Sequence, residues 1–248
     1  MITLIDVHKS FNAQNVLDGL NLEIETGKIT VVIGQSGGGK SVLLKHMIGL
    51  IRPDQGQVLV EGMDITRLND RKLNDMRKNF GMLFQAAALF DSMTVGENVA
   101  FPLQEHTRLK RHEIDEIVEQ KLLQVGLKDA AHKMPSELSG GMRKRVGLAR
   151  AMALDPKIIL FDEPTTGLDP ITADAIDRLI VDTQKHTKAT CVVISHDVES
   201  TFKIAHTVAM LYHGKIIEIG TPDAVKSSEN PALQQFLQGK AEGPIHIV

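Results

Sequence analysis

The sequence has a single cysteine, Cys191, among 248 residues, so it can build neither a disulfide framework nor a multi-thiolate metal site. It also lacks an excess of either charge. Against 28 Lys and Arg stand 31 Asp and Glu, a formal net charge of -3, so no global basic field holds a nucleic acid and any anion must be met by a local site. Long apolar runs are missing too: runs such as residues 158–161 and 191–194 fall far short of the about 18 residues that a membrane span needs. At the start of the chain, Asp6, His8 and Lys9 interrupt any apolar leader. There are no repeats and no low-complexity tracts. A composition 42% hydrophobic and 24% charged excludes disorder and fibres. The expectation is a cytosolic protein of one large domain, or one domain with a smaller lobe, that reaches a membrane only through another chain.

What is present is an alternation of short strands and helices. Ile2, Leu4 and Val7 predict a first strand, Leu20, Leu22 and Ile24 alternate in a second, and residues 29–33 run on apolar but for Thr30, as a strand buried on both faces does. That third strand runs into a glycine-dense turn at 34–39 and then a helix with Leu43, Leu44, Met47 and Ile48 on one face. Residues 92–154 turn helical, with Ile114, Ile117, Val118, Leu122 and Val125 at helical spacing and Gly126 as a stop, and read as an inserted lobe. After Pro156 come a buried strand at 158–161, a helix capped by Asp169 with Pro170 at its first position, and a strand at 190–195. This alternation implies a parallel sheet. Thr221-Pro222 and Asn230-Pro231 mark two short helix starts, followed by an apolar tip at 244–248.

Gly34-Gln35-Ser36-Gly37-Gly38-Gly39-Lys40-Ser41 matches the phosphate-loop pattern G-x-x-x-x-G-K-[ST] after a buried strand and before an amphipathic helix. Backbone N–H groups turn inward only where side chains do not block them, and the following helix adds its positive end, so the loop wraps the β-phosphate of a nucleotide. Lys40 is placed to reach the β- and γ-phosphates. The Ser41 hydroxyl suits magnesium, a hard cation that takes few protein oxygens and shares phosphate and water. Asp162 and Glu163 end the strand at 158–161, at the edge where open α/β sheets bind ligands. Adjacent acids usually form a solvated turn, but the apolar strand and the phosphate loop favour chemistry: Asp162 near the magnesium ion, and Glu163 as the base that orients or deprotonates the attacking water. His196 directly follows the strand at 190–195, where an imidazole can hydrogen-bond a γ-phosphate and sense its loss.

Leu138-Ser139-Gly140-Gly141-Met142, leading into Arg143-Lys144-Arg145-Val146-Gly147-Leu148-Ala149-Arg150-Ala151, is a second glycine-rich helix start. Taken in order with the phosphate loop, Gln85, Asp162-Glu163, Gly167-Leu168-Asp169 and His196, it resembles the nucleotide-binding subunit of ATP-binding cassette (ABC) transporters over residues 1–220. The resemblance implies an α/β fold: a P-loop NTPase (RecA-like) core with an N-terminal antiparallel β-subdomain at 1–91 and 155–220, an inserted α-helical subdomain at 92–154, and a C-terminal extension at 221–248. It implies ATP and Mg2+ as cofactors, with Ser41, Gln85 and Asp162 at the metal, and an ATPase that closes as a head-to-tail homodimer. In such a dimer Ser139, Gly140 and Gly141 cover the nucleotide held by the opposite phosphate loop; Asp169 joins the nucleotide-binding set. This is physically sensible, because a serine cap and two free-standing N–H groups make an anion site.

The resemblance also places Gln85 against magnesium and the attacking water, and residues 86–91 in a groove that receives a helix of an integral-membrane permease. Core packing accounts for Ala86-Ala87-Ala88-Leu89-Phe90 equally well. Phe11 stands where the family has an aromatic that stacks on adenine, although a lone Phe also suits a core. Two departures are Val42, in place of a second hydroxyl beside the α-phosphate, and Met142, in place of the common glutamine. The runs Gly37-Gly38-Gly39-Lys40-Ser41-Val42, Leu89-Phe90-Asp91-Ser92-Met93-Thr94-Val95, Glu97-Asn98-Val99-Ala100-Phe101-Pro102-Leu103 and Met142-Arg143-Lys144-Arg145 look like the ATPases of bacterial Mla/Mce-type lipid transporters. Phe236-Leu237-Gln238-Gly239 with Glu242-Gly243-Pro244 is similar to the C-terminal extension of the MlaF-like branch. That resemblance implies phospholipid as cargo, a peripheral place on the cytoplasmic face of the inner membrane, lipid-binding and small accessory subunits as further partners, and no nucleic acid. The alternatives are import of an amino acid or other small polar solute and, in another class, a soluble non-transport cassette ATPase. The last needs two cassettes or a long coiled coil, for which 248 residues leave no room. The end Ile245-His246-Ile247-Val248 suits either a neighbouring subunit's surface or a frayed terminus.

Overall fold

The computed structural model describes residues 1–12 and 14–245. The chain forms two compact units, one of Met1–Asn69 with Val192–Val248, the other of Asp70–Cys191.

The first unit opens with β1 (Ile2–Phe11), β2 (Gln14–Ile24), β3 (Ile29–Ile33), α1 (Lys40–Met47), β4 (Gln55–Val60) and β5 (Met63–Asp64). Alternation decides the first sheet. Leu20, Leu22 and Ile24 are buried and Asn21 and Glu23 exposed, so β2 presents one face to a core and pairs antiparallel with β1 at Leu4↔Leu22 and Val7↔Leu20. The order is β2-β1-β4-β5. All five residues of β3 are buried, the four apolar ones and Thr30 alike, and α1 turns Leu43, Leu44 and Met47 inward.

The second unit comprises α2 (Asp70–Arg77), β6 (Phe80–Leu83), α3 (Val95–His106), α4 (Arg111–Gln124), α5 (Gly140–Ala151), β7 (Ile158–Asp162) and α6 (Pro170–Thr187). β6 and β7 run parallel, with Phe80 opposite Ile158 and Leu83 opposite Phe161. The helical stretch expected at 92–154 resolves into α3, α4 and α5, and α4 stops at Gly126, whose φ of +71° only glycine adopts freely. Asn98 of α3 is fully buried and fastens the preceding loop: it accepts from the Phe90 N–H at 2.8 Å and donates to the carbonyls of Phe90, Met93 and Thr94.

The chain then enters β8 (Thr190–Ser195) and returns to the first unit through α7 (Val198–Ile204), β9 (Thr207–Tyr212), β10 (Lys215–Gly220), α8 (Pro222–Lys226) and α9 (Pro231–Gln238). β9 lies parallel to β3, with Val31 opposite Val208, and forms an antiparallel hairpin with β10 across His213 and Gly214, both at positive φ. Thr221 and Asn230 cap α8 and α9 as their sequence positions imply. The tip differs from expectation at Ile245, which is buried within its own chain rather than awaiting a neighbour. The Gln235 amide accepts from the Ile245 N–H at 2.7 Å and donates to its carbonyl at 2.9 Å, pairing with it as a strand neighbour would, while the Tyr212 hydroxyl donates to the Pro244 carbonyl. His246, Ile247 and Val248 lie outside the described residues.

Candidate active site

In the first unit the phosphate-loop residues form a tight turn between β3 and α1. Gly38 N–H donates to the Gln35 carbonyl, and Gly39 caps α1 at φ +94°. A side chain at Gly39 would be strained there and would stand 2.9 Å from Val16 Cγ1 and 3.0 Å from the Val16 carbonyl, so glycine is required. No side chain caps α1, which leaves its first N–H groups directed at the mouth of the loop. Lys40 is 4% exposed, and its ammonium donates to the carbonyls of Gly34 at 2.9 Å and Gln35 at 2.8 Å, arching back over the loop. Ser36 and Gly37 are exposed on the loop, and Ser41 and Val42 sit half-buried in the first turn of α1. His196 stands exposed just beyond β8. Phe11 is 41% exposed with the Lys9 ammonium 5.4 Å from its ring centroid, so it is a surface platform and the core reading does not hold.

In the second unit β7 delivers Asp162, 8% exposed, and Glu163 at its C-terminal end. Glu163 has φ +47°, a left-handed conformation that costs a residue with a Cβ about 1–2 kcal/mol. Local bonds hold it. Its carboxylate accepts from Gln85 Nε2 at 3.2 Å and from the Thr166 hydroxyl at 3.0 Å, and its carbonyl accepts from Lys144 Nζ at 3.1 Å. The structure therefore brings Gln85 and Glu163 together across 78 positions of sequence. Burial pushes the Lys144 ammonium below the usual lysine range, against the opposing pull of Asp162 and Glu163.

The second glycine-rich start lies on this unit as well. Ser139 is exposed and caps α5 by accepting from the Met142 N–H at 3.3 Å. A Cβ on Gly141 would lie 2.4 Å from Thr172 Cγ2, so this glycine lets α5 approach the start of α6. Asp169 caps α6 through the N–H groups of Ile171 and Thr172, and the Thr172 hydroxyl beside it holds its carboxyl below the usual range. Its oxygens thus set the turn between β7 and α6. Residues 86–88 leave β6 in strained backbone, Ala87 at φ +61° and Ala88 at φ +47°, and the Arg150 guanidinium clamps both carbonyls at 2.7 and 2.8 Å. Next to them opens a groove of about 1100 Å³ whose lining includes Phe80, Phe84, Phe90 and Phe101 together with the charged Arg71, Asp75, Arg77, Lys78 and Arg150. Phe84 and Phe90 are exposed, so this segment is only partly core.

Three of these contacts were not read from the sequence: Lys144, Thr166 and Arg150. Lys144 carried a signal, since with Gly141, Gly147 and Leu148 it falls on the buried side of α5, where a charge needs a reason. Among the described residues no cluster of three or more His, Cys, Asp or Glu forms a metal cage. Ser41 of the first unit, and Gln85 and Asp162 of the second, each carry a hard oxygen donor of the kind Mg2+ takes beside phosphate and water.

The model of the ABC transporter family matches residues 17–166. The chain is 47% identical to the intermembrane phospholipid transport system ATP-binding protein MlaF of Haemophilus influenzae, over 94% of this chain and 88% of that protein. It is 44% identical to the probable ribonucleotide transport ATP-binding protein mkl of Mycobacterium leprae, over 96% of this chain and 68% of the other. Among solved structures, the dimeric post-hydrolysis state of the ATP-binding cassette MJ0796 bound to ADP and Pi superposes with a TM-score of 0.83 at 30% identity, covering 90% of this chain and 99% of that one.

Proposed function

The chain belongs to the ABC transporter family as an ATP-binding, ATP-hydrolysing subunit, and from that premise we propose that it drives phospholipid movement through a membrane permease by ATP-dependent closure of a homodimer. No helix of the described residues is long and apolar enough to cross a membrane. The observation that carries the reading is the posture of Glu163: a carboxylate held by Gln85 and Thr166 on a strained residue directly after Asp162.

The work divides among the residues as follows. The N–H groups of residues 34–41 and the Lys40 ammonium bind the phosphate chain, where partial burial strengthens each charge pair. Phe11 stacks on adenine. Ser41, Gln85 and Asp162 would hold Mg2+, which supplies neutralising charge to the phosphate oxygens. Glu163 takes the proton of the attacking water as the bond from the γ-phosphorus to the β-γ bridging oxygen breaks, and ADP leaves with that oxygen. His196 hydrogen-bonds the γ-phosphate. Ser139, Gly140 and Gly141 cover the nucleotide of the opposite subunit. The groove beside residues 86–90 receives a permease helix, its aromatic lining matching an apolar helix face and the excess of basic side chains over the single acid Asp75 in that lining matching acidic flanks.

Glu163→Gln tests the mechanism because it keeps the shape of the side chain and removes the base. Turnover falls by at least about 10²-fold, and ATP, unlike ADP, accumulates a dimer visible by light scattering. Near-normal hydrolysis would show that water is activated elsewhere, and a dimer formed without ATP would show that nucleotide is not the glue. For the cargo, lipid analysis of the complex purified with its permease should find bound phospholipid. The name of the mycobacterial relative favours a second reading, a nucleotide cargo, which would be supported by ribonucleotide-stimulated ATPase in that complex.

A further inference from the structure

We propose that Lys144 is a positioning residue for Glu163, through which the end of α5 that faces the partner's ATP sets the readiness of the base in its own chain. This rests on the two-subunit reading above and goes beyond it.

Lys144 is 5% exposed on a helix that carries exposed arginine at Arg143, so its burial is a property of the position and not of the segment. A buried ammonium is tolerated only when it is hydrogen-bonded and faces opposite charge. Here the bond goes to the Glu163 carbonyl at 3.1 Å, and the facing charges are Asp162 and Glu163. An apolar side chain would fill the same volume at lower cost, which argues that the bond itself is what matters.

The contact falls on the one residue whose backbone is strained and whose side chain does the chemistry. Rotation about the Glu163 N–Cα bond, set at φ +47°, carries the carbonyl carbon and the side chain together, so an anchor on one steadies the other. Gln85 and Thr166 hold the carboxylate end, and Lys144 holds the main-chain end. Losing the main-chain anchor lets the residue relax toward ordinary backbone and swings the carboxylate off its water.

The same lysine lies on an unbroken helix, Gly140–Ala151, five residues beyond the Ser139 cap and so about 7.5 Å along the axis. A helix has no soft joint over that distance. When a γ-phosphate from the partner docks at Ser139, Gly140 and Gly141, the shift of the helix end is carried to Lys144 and then to Glu163. Each site thereby prepares its neighbour's base, and hydrolysis is cooperative in ATP.

The test is steady-state hydrolysis by the full chain over an ATP titration, with Lys144→Met and Lys144→Arg, nucleotide affinity measured separately and melting temperature as a control. In Lys144→Met, kcat falls by about 10- to 100-fold, as misplacement of a catalytic group by an ångström does, with KM and nucleotide affinity unchanged and the cooperativity of the parent lost. Lys144→Arg, which keeps a charged donor, restores most of kcat. A Lys144→Met enzyme with unchanged kcat overturns the proposal. So does equal impairment of both variants with a lowered melting temperature, which marks a packing role. A parent without cooperativity overturns the link between sites. Glu163→Gln is run beside them: if it retains turnover, the base reading itself fails, whereas if it loses turnover while Lys144→Met does not, only the role of Lys144 falls.

Discussion

The residues that matter most here sit in environments their types usually avoid. Glu163, Ala87 and Ala88 have positive φ without being glycine, and Lys40, Lys144 and His46 are buried. His46, on α1 behind the phosphate loop, offers a test by pH. Its Nδ1 donates to the Val42 carbonyl at 2.7 Å, and its Nε2 has no hydrogen-bond partner among the described residues. Burial, chiefly, and the Lys9 ammonium hold the imidazole below its ordinary 6.5, against the backbone bond to Val42 and the Asp54 carboxylate, which work the other way. The folded chain therefore stays neutral at His46 while the unfolded chain takes up a proton, so stability is present above 6.5 and is lost as pH falls below it. One such proton contributes a slope of at most about 1.4 kcal/mol per pH unit. Urea titrations across mildly acidic pH should show that slope reduced in His46→Leu. An unchanged slope would place the acid sensitivity elsewhere.

Among the elements, α5 joins several of these residues. Its cap faces outward, Lys144 reaches the Glu163 carbonyl, and Arg150 at its far end clamps Ala87 and Ala88 beside the groove. The clamp depends on a fork: two N–H groups of one planar guanidinium reach two carbonyls, with Phe90 5.7 Å from its centre. A lysine is a point donor and cannot span both. Arg150→Lys therefore frees at least one carbonyl, a loss of about 1.5 kcal/mol for a charge-assisted bond, and loosens the strained turn. Faster amide hydrogen exchange in residues 86–90 and about tenfold weaker stimulation of ATPase by the permease are the expected results, the latter by conversion of that energy. Unaltered exchange there would mean that packing, not the clamp, holds the turn.

At the scale of the whole molecule, the two subunits must share their sites if ATP is the glue between them. Ser139→Arg separates the roles. The phosphate loop and Phe11 lie in the first unit and Ser139 in the second, so ATP binding to the monomer should survive. The bulky cation fills the anion site at the start of α5, so closure and turnover should fail. Fluorescent-nucleotide titration with light scattering on a Glu163→Gln background distinguishes these, and loss of ATP binding together with turnover would refute a role across the interface.

The sequence alone determined whatever depends on neighbours within about one turn of chain. The glycine turn before α1, the caps at Ser139, Asp169, Thr221 and Asn230, the stop at Gly126 and the largely apolar buried strands β3, β7 and β8 all formed where their residues put them. The motifs that carry the family likeness are of this local kind, which is why the family was legible from spacing. Tertiary structure decided what is set by partners far apart in sequence. Lys144 meets Glu163 across 19 positions and Arg150 meets Ala87 across 63, while packing left Phe11 exposed and Gln235 drew Ile245 into its own chain. The reason is physical: a cap or turn is satisfied by groups that the local backbone already brings together, whereas a buried side chain's partner is chosen by which surfaces pack, and spacing along the chain does not record that choice.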